Sequence, residues 1–146
     1  MTIAEELAIK DAVRDVIMRY FLAADEGRAD DLGALCTEDA KMNIHYSAPG
    51  RTGSDLEYRS RSEIVKHAAN FGRALGFVRH HCTTCLIEVD DDQATALFYY
   101  QAFNERGIHH FGRIHDRFIR VDEKWLIAQR QVTTTLSRSG AQTTEC

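Results

Sequence analysis

Gln93 to Leu136 reads QATALFYYQAFN, ERG, IHHFGRIHDRFIRV, DE, KWLIAQRQVTTTL, and this run decides the fold. Its apolar residues recur at every second position, the period of a strand. Gln93–Asn104, Ile108–Val121 and Lys124–Leu136 are therefore predicted as strands. The links Glu105-Arg106-Gly107 and Asp122-Glu123 are short and polar, which suits antiparallel hairpins. A fourth strand, Phe77–Val89, is expected just upstream, joined through Asp90-Asp91-Asp92. Several strands are apolar on both faces: Phe98 and Tyr100 oppose Leu97, Tyr99 and Phe103, and Ile114 and Phe118 oppose Phe111, Ile119 and Val121. One face can meet helices. The other needs a cover that this chain does not supply, which predicts a homo-oligomer built through the sheet, a dimer in the simplest case and a trimer as the alternative.

Working back towards the start, the period changes to that of a helix. Ile9, Val13, Ile17, Tyr20 and Ala24 form one apolar face over Ala4–Glu26. The helix closes on MRYFLAADEG, Met18 to Gly27, with Gly27 placed as its stop. Asp25 is an odd residue there, because the last helical turn carries partial negative charge. A water-screened surface acid is the plain reading; a retained functional acid is the other. A short helix over Ala29–Cys36 and a turn at Thr37-Glu38-Asp39 follow. Lys41–Tyr46 alternates as a strand, and Ser47–Tyr58 holds the only proline and reads as a loop. Ser60-Arg61-Ser62-Glu63 matches a capping box and starts a third helix through Ile64, Ala68, Phe71 and Leu75, stopped at Gly76. Three N-terminal helices on a curved, mostly antiparallel sheet make an α+β domain shaped as a cone-like barrel, residues 1–136, with a polar tail at 137–146.

The 146 residues fit one domain. Net charge is −4 with no basic block, which argues against a nucleic-acid partner. No apolar run suits a membrane span, and the start lacks a signal-peptide pattern, so a cytoplasmic location is expected. Cys82-Thr-Thr-Cys85 has metal or redox spacing but lies in a strand, where residues three apart face opposite ways. It reads as packing, with zinc or redox chemistry as the lesser alternative.

Strand parity groups Val78, His80, Cys82, Thr84 and Leu86 on one strand, Ile108, His110, Gly112, Ile114, Asp116 and Phe118 on another, and Leu126, Ala128, Arg130, Val132 and Thr134 on the last, which places His80, His110 and Arg130 on the face that meets the helices. Met42, Phe98, Tyr100 and Ile114 supply apolar walls, and Tyr20 and Asp25 come from the helix side. A few polar groups converging among apolar walls is the usual form of a small-molecule site. Each has a plainer reading. Tyr20 can be a core tyrosine, Arg130 a structural ion pair, and a one-residue slip would exchange His80 and His110 for His81 and His109. His45, His67 and His115 are expected at the surface. Two histidines and an aspartate can also hold a metal.

The chain resembles the SnoaL-like domains of the nuclear-transport-factor-two-like superfamily, a group that includes scytalone dehydratase, bile-acid dehydratase and hexachlorocyclohexane dehydrochlorinase. Four stretches carry the resemblance: Arg19-Tyr20 with Asp25, Leu32 to Asp39-Ala40, Val78-Arg79-His80-His81 before Leu86-Ile87-Glu88-Val89, and Gly112-Arg113 through Asp116-Arg117-Phe118 to Trp125–Arg130. It implies an Asp25–His80 pair as base, with Tyr20 and Arg130 at dehydratase-like catalytic positions and His110 in the pocket wall. It implies a cofactor-independent, metal-free lyase or isomerase for a hydrophobic small molecule such as a steroid, polyketide or aromatic ring. A non-catalytic binding or assembly protein of the same fold, or the small subunit of a ring-hydroxylating oxygenase, is the competing implication.

Overall fold

The computed structural model describes residues 1–48, 51–75 and 78–136. Pro49 of the expected loop, Gly76 as the expected helix stop, Phe77 as the expected strand start and the tail from Ser137 lie outside these residues, as does the side chain of Leu75. The elements run α1 (Ile3–Asp25), α2 (Ala29–Gly33), β1 (Cys36–Ala48), β2 (Arg51–Tyr58), α3 (Arg61–Leu75), β3 (Arg79–Asp90), β4 (Gln93–Asn104), β5 (Gly107–Val121) and β6 (Lys124–Leu136). The strands form one sheet in the order β2-β1-β6-β5-β4-β3. Every pairing is antiparallel except β1 with β6. α1 packs on β3 and β6, and α3 on β1. This is an α+β fold of helices followed by a curved sheet, and the sheet is open, with β2 and β3 as its edges among the described residues.

α1 begins in a capping box: the Glu5 backbone N–H donates to the Thr2 hydroxyl, and Glu5 accepts from the Thr2 backbone at 2.6 Å. Val13, Val16, Ile17, Tyr20, Phe21 and Ala23 are its buried residues. It ends as expected at Gly27, whose φ of +70° few other residues adopt readily. α3 also starts where its sequence suggests, with the Glu63 backbone N–H donating to Ser60 Oγ. The Glu63 carboxylate turns to the Arg59 backbone N–H instead of closing the box on Ser60.

The N-terminal half departs from expectation in two places. α2 is one turn, and β1 takes up the Thr37–Asp39 segment that reads as a turn, extending from Cys36 to Ala48. The expected loop at Ser47–Tyr58 is the second arm of a β1–β2 hairpin, with Met42 paired to Tyr58 and Tyr46 to Ser54. β2 is an edge strand and pairs on one side only. Its ladder needs no alternating apolar face, so polar composition hides it.

Bulges in β3, β5 and β6 reset strand parity. In β3 the register shifts between Thr83 and Leu86, with Thr84 at φ +51°. Leu86, expected inward, is 60% exposed, and Ile87 is buried in its stead. In β5 the shift leaves His109 as the extra residue, and Ile108 is exposed rather than inward. In β6 the shift falls at Ala128, so Trp125 and Ile127 are buried where Leu126 was expected. Between the bulges the expected inward residues hold their places: His110, Ile114, Asp116, Phe118, Arg130 and Thr134 are all buried.

Candidate active site

Asp25 stands in the last turn of α1, where it faces the first residues of β3. Its Oδ1 is 2.5 Å from His80 Nδ1, and its Oδ2 accepts the His80 backbone N–H at 3.0 Å. The two side chains are 10% exposed for His80 and 6% for Asp25. An ionised carboxylate only accepts, so in that form Asp25 requires a hydrogen on Nδ1, and a neutral imidazole so held has its lone pair on Nε2. These contacts explain the acid at the helix end. A helix-dipole penalty of a few tenths of a kcal/mol is small beside hydrogen bonds to a charged group, each worth roughly 1.5–3 kcal/mol.

A shell of rings surrounds the pair. Phe21, one helical turn before Asp25, lies 5.1 Å from the His80 ring. Tyr100 is 6.0 Å from His80 and 5.7 Å from His110, and its hydroxyl is 2.6 Å from Thr134 Oγ1. His80 and His110 stand 5.4 Å apart between ring centres, at 72°. His110 is 4% exposed. Burial first, then the neighbouring His80 and His109, pushes its pKa down to about 3, so it is neutral at physiological pH. Met42, Phe98 and Ile114 are buried in the same core cluster.

Arg130 is held by a residue that the sequence reading left without a role. Its Nε and Nη2 donate to the two carboxylate oxygens of Asp116 at 2.8 and 2.6 Å, and the side chains are 3% and 0% exposed. Asp116 and Arg130 are directly paired across β5 and β6. Burial works against the guanidinium charge, but Asp116 more than offsets it and the group stays ionised. The guanidinium carbon lies 3.8 Å over the Tyr20 ring and 5.4 Å from Phe21. Its Nη1 is buried without a hydrogen-bond partner among the described residues. The Tyr20 hydroxyl meets Met42 Sδ at 3.8 Å, and burial above all pushes its pKa up to about 12.

The sequence-predicted groups Asp25, His80, Tyr20, Arg130 and His110 therefore gather around Phe21 and Tyr100. Phe21 and Asp116 are the additions. Phe21 was legible as the residue one turn before Asp25, and Asp116 as the like-parity residue opposite Arg130. His45, expected at the surface, is 2.5 Å from Asp55 with the side chains 50% and 81% exposed. His67, also expected at the surface, is half-buried against Tyr58, whose hydroxyl is 2.7 Å from its Nδ1. The β1–β2 hairpin folds Tyr58 over it. Cys82 is half-buried and Cys85 exposed, both free thiols, and burial pushes Cys82 up to about 12. Among the described residues no group of three or more His, Cys, Asp and Glu side chains is placed to hold a metal ion. No described helix is long and apolar enough to cross a membrane.

Solved structures of the same fold include a variant of Rv3472, a function-unknown protein from Mycobacterium tuberculosis. It is 25% identical, with a TM-score of 0.74 over 95% of this chain and 79% of that one. A proposed scytalone dehydratase from Novosphingobium aromaticivorans is 21% identical, with a TM-score of 0.75 over 92% and 89% of the two chains. The beta subunit of a proposed aromatic-ring-hydroxylating dioxygenase from the same organism is 19% identical, with a TM-score of 0.73 over 91% and 93%. Among curated proteins none matches. The pattern that defines the SnoaL-like domain matches residues 5–131, and the chain belongs to that family.

Proposed function

We propose that this protein is a cofactor-independent lyase or isomerase of a hydrophobic small molecule, with His80 as its base. The observation that carries the reading is the buried Asp25–His80 pair, in which one carboxylate takes both the backbone N–H and the Nδ1 hydrogen of the same histidine. That leaves Nε2 as the acceptor. His80 takes a proton from a carbon next to a carbonyl or a leaving group, and Asp25 stabilises the imidazolium that forms. As the C–H electrons become a double bond, the bond to the leaving group breaks, and that group departs as an anion or takes up the proton that His80 removed. His110, the Tyr20 hydroxyl and Arg130 Nη1 are the candidate hydrogen-bond donors to the charge that develops. Phe21, Phe98, Tyr100, Met42 and Ile114 suit a flat, mostly apolar substrate.

The test is turnover of a panel of hydroxylated steroids, aromatic polyketides and halogenated rings, followed by mass spectrometry as loss of water or acid. Asp25→Asn and His80→Ala are each expected to lose at least ~10²-fold while remaining folded. Wild-type rates in both variants would sink the reading. Ligand recovered unaltered, with a raised melting temperature in every variant, would make the protein a binding module of the same fold.

The likeness to a dioxygenase beta subunit favours a second reading, a small subunit that needs a large partner. A stable homo-oligomer on a sizing column counts against it. We infer such an oligomer, most simply a dimer, from the outer face of the sheet. Leu86, Leu97, Tyr99 and Phe111 are exposed there, and Tyr99 and Phe111 line a hollow of about 410 Å³ together with Arg113 and Thr133.

A further inference from the structure

We propose that His109 is a positioning residue that fixes the tautomer of His110, holding its proton on Nε2. The Nδ1 atoms of the two rings are 2.9 Å apart. Two ring nitrogens at that distance are joined by one hydrogen; two lone pairs or two N–H groups would repel. The tautomers are therefore complementary, and the ring that accepts at Nδ1 carries its own hydrogen on Nε2. Neighbouring strand residues ordinarily point to opposite faces. The β5 bulge removes that alternation: Ala102 pairs with His110 and Phe103 with Ile108, which leaves His109 as the extra residue beside His110.

The direction of the hydrogen bond follows from the surroundings. His110 is buried and neutral, whereas His109 is half-buried and in reach of water. A protonated His109 has no lone pair and must donate. A neutral His109 donates too, because the opposite arrangement would leave a bare Nε2 on the buried His110 ring, whose centre is 5.4 Å from that of His80, a ring that already offers a lone pair. With His109 donating, the two neighbouring rings offer one acceptor and one donor: a base, and a neutral hydrogen-bond donor to developing negative charge. This catalytic consequence rests on the proposed lyase reading; the tautomer itself does not.

The experiment is NMR of the full chain labelled with ¹⁵N-histidine at neutral pH, which identifies the protonated nitrogen of each ring. In the wild type His110 is expected to carry its hydrogen on Nε2. His109→Asp presents only acceptors, so it is expected to move that hydrogen to Nδ1, while His109→Asn can still donate and is expected to keep it on Nε2. A wild-type His110 with its hydrogen on Nδ1, or a His109→Asp protein with it still on Nε2, overturns the proposal. Once a substrate is known, His109→Asp is expected to lower kcat by roughly 10²-fold with KM little changed, and His109→Asn to rescue the loss. An unchanged kcat in His109→Asp overturns the catalytic half. Failure of the lyase reading shows separately, as wild-type turnover in Asp25→Asn and His80→Ala, and does not touch the NMR result.

Discussion

At the scale of single residues, burial separates contacts that look alike. His80–Asp25 and His45–Asp55 have the same 2.5 Å separation. Only the first is shielded from water, so only there does the carboxylate fix a ring that the solvent cannot rearrange. The Asp116–Arg130 pair is deeper still. Replacing Asp116 by Ala would leave a buried guanidinium with no counter-charge, so Asp116→Ala is expected to destabilise by about 3–5 kcal/mol. Denaturant unfolding checks it, and a loss under about 1 kcal/mol would show the pair to be dispensable. His110 makes a pH prediction. Its folded pKa of about 3 lies below the ordinary histidine value of 6.5, so the unfolded chain binds the proton first. Its contribution to stability is complete above pH ~6.5 and falls as pH drops towards about 3, by up to roughly 1.4 kcal/mol per unit. His110→Gln should flatten that limb of the stability curve, and an unchanged slope in urea titrations would exclude His110 as its source.

At the scale of elements, bulges decide what each strand presents. Strand alternation in the sequence located β4 and β6 to the residue, and placed His80, His110 and Arg130 inward. It failed beyond Thr84, at Ile108 and at Leu126, because one inserted residue exchanges the faces and no local pattern announces it. It missed β2 because an edge strand need not carry an apolar face. Gly112 shows how closely β5 lies to its neighbours: a Cβ there would come within 1.8 Å of the Thr133 carbonyl oxygen and 3.1 Å of Tyr100 Cε1. Backbone cannot give way as a side-chain tip can. Gly112→Ala is thus expected to cost about 1–3 kcal/mol or more through strain in the β5–β6 ladder. A wild-type unfolding midpoint would show that the sheet absorbs the methyl.

At the scale of the whole molecule, the two faces of the sheet have different tasks. The inner face is covered by α1 and α3 and gathers the polar groups. The outer face exposes Tyr99 at 51% and Phe111 at 42%, large apolar side chains that a second copy of the chain would cover. The double variant Tyr99→Glu, Phe111→Glu is expected to run as a monomer on a sizing column while the wild type runs as a dimer. Equal elution volumes would remove this face from the interface.

What the sequence determined by itself was whatever depends on near neighbours along the chain: the starts of α1 and α3, the stop of α1 at Gly27, the period of the strands from β4 to β6, the α+β layout and the misplaced acid at Asp25. What only the tertiary structure decided depends on residues far apart in sequence. The Asp25–His80 contact spans the helices and β1–β2, Arg130 takes its charge partner from another strand, and His109 meets His110 at a bulge in the β4–β5 ladder. Local propensity sees neither distance nor burial, and these contacts are made of both.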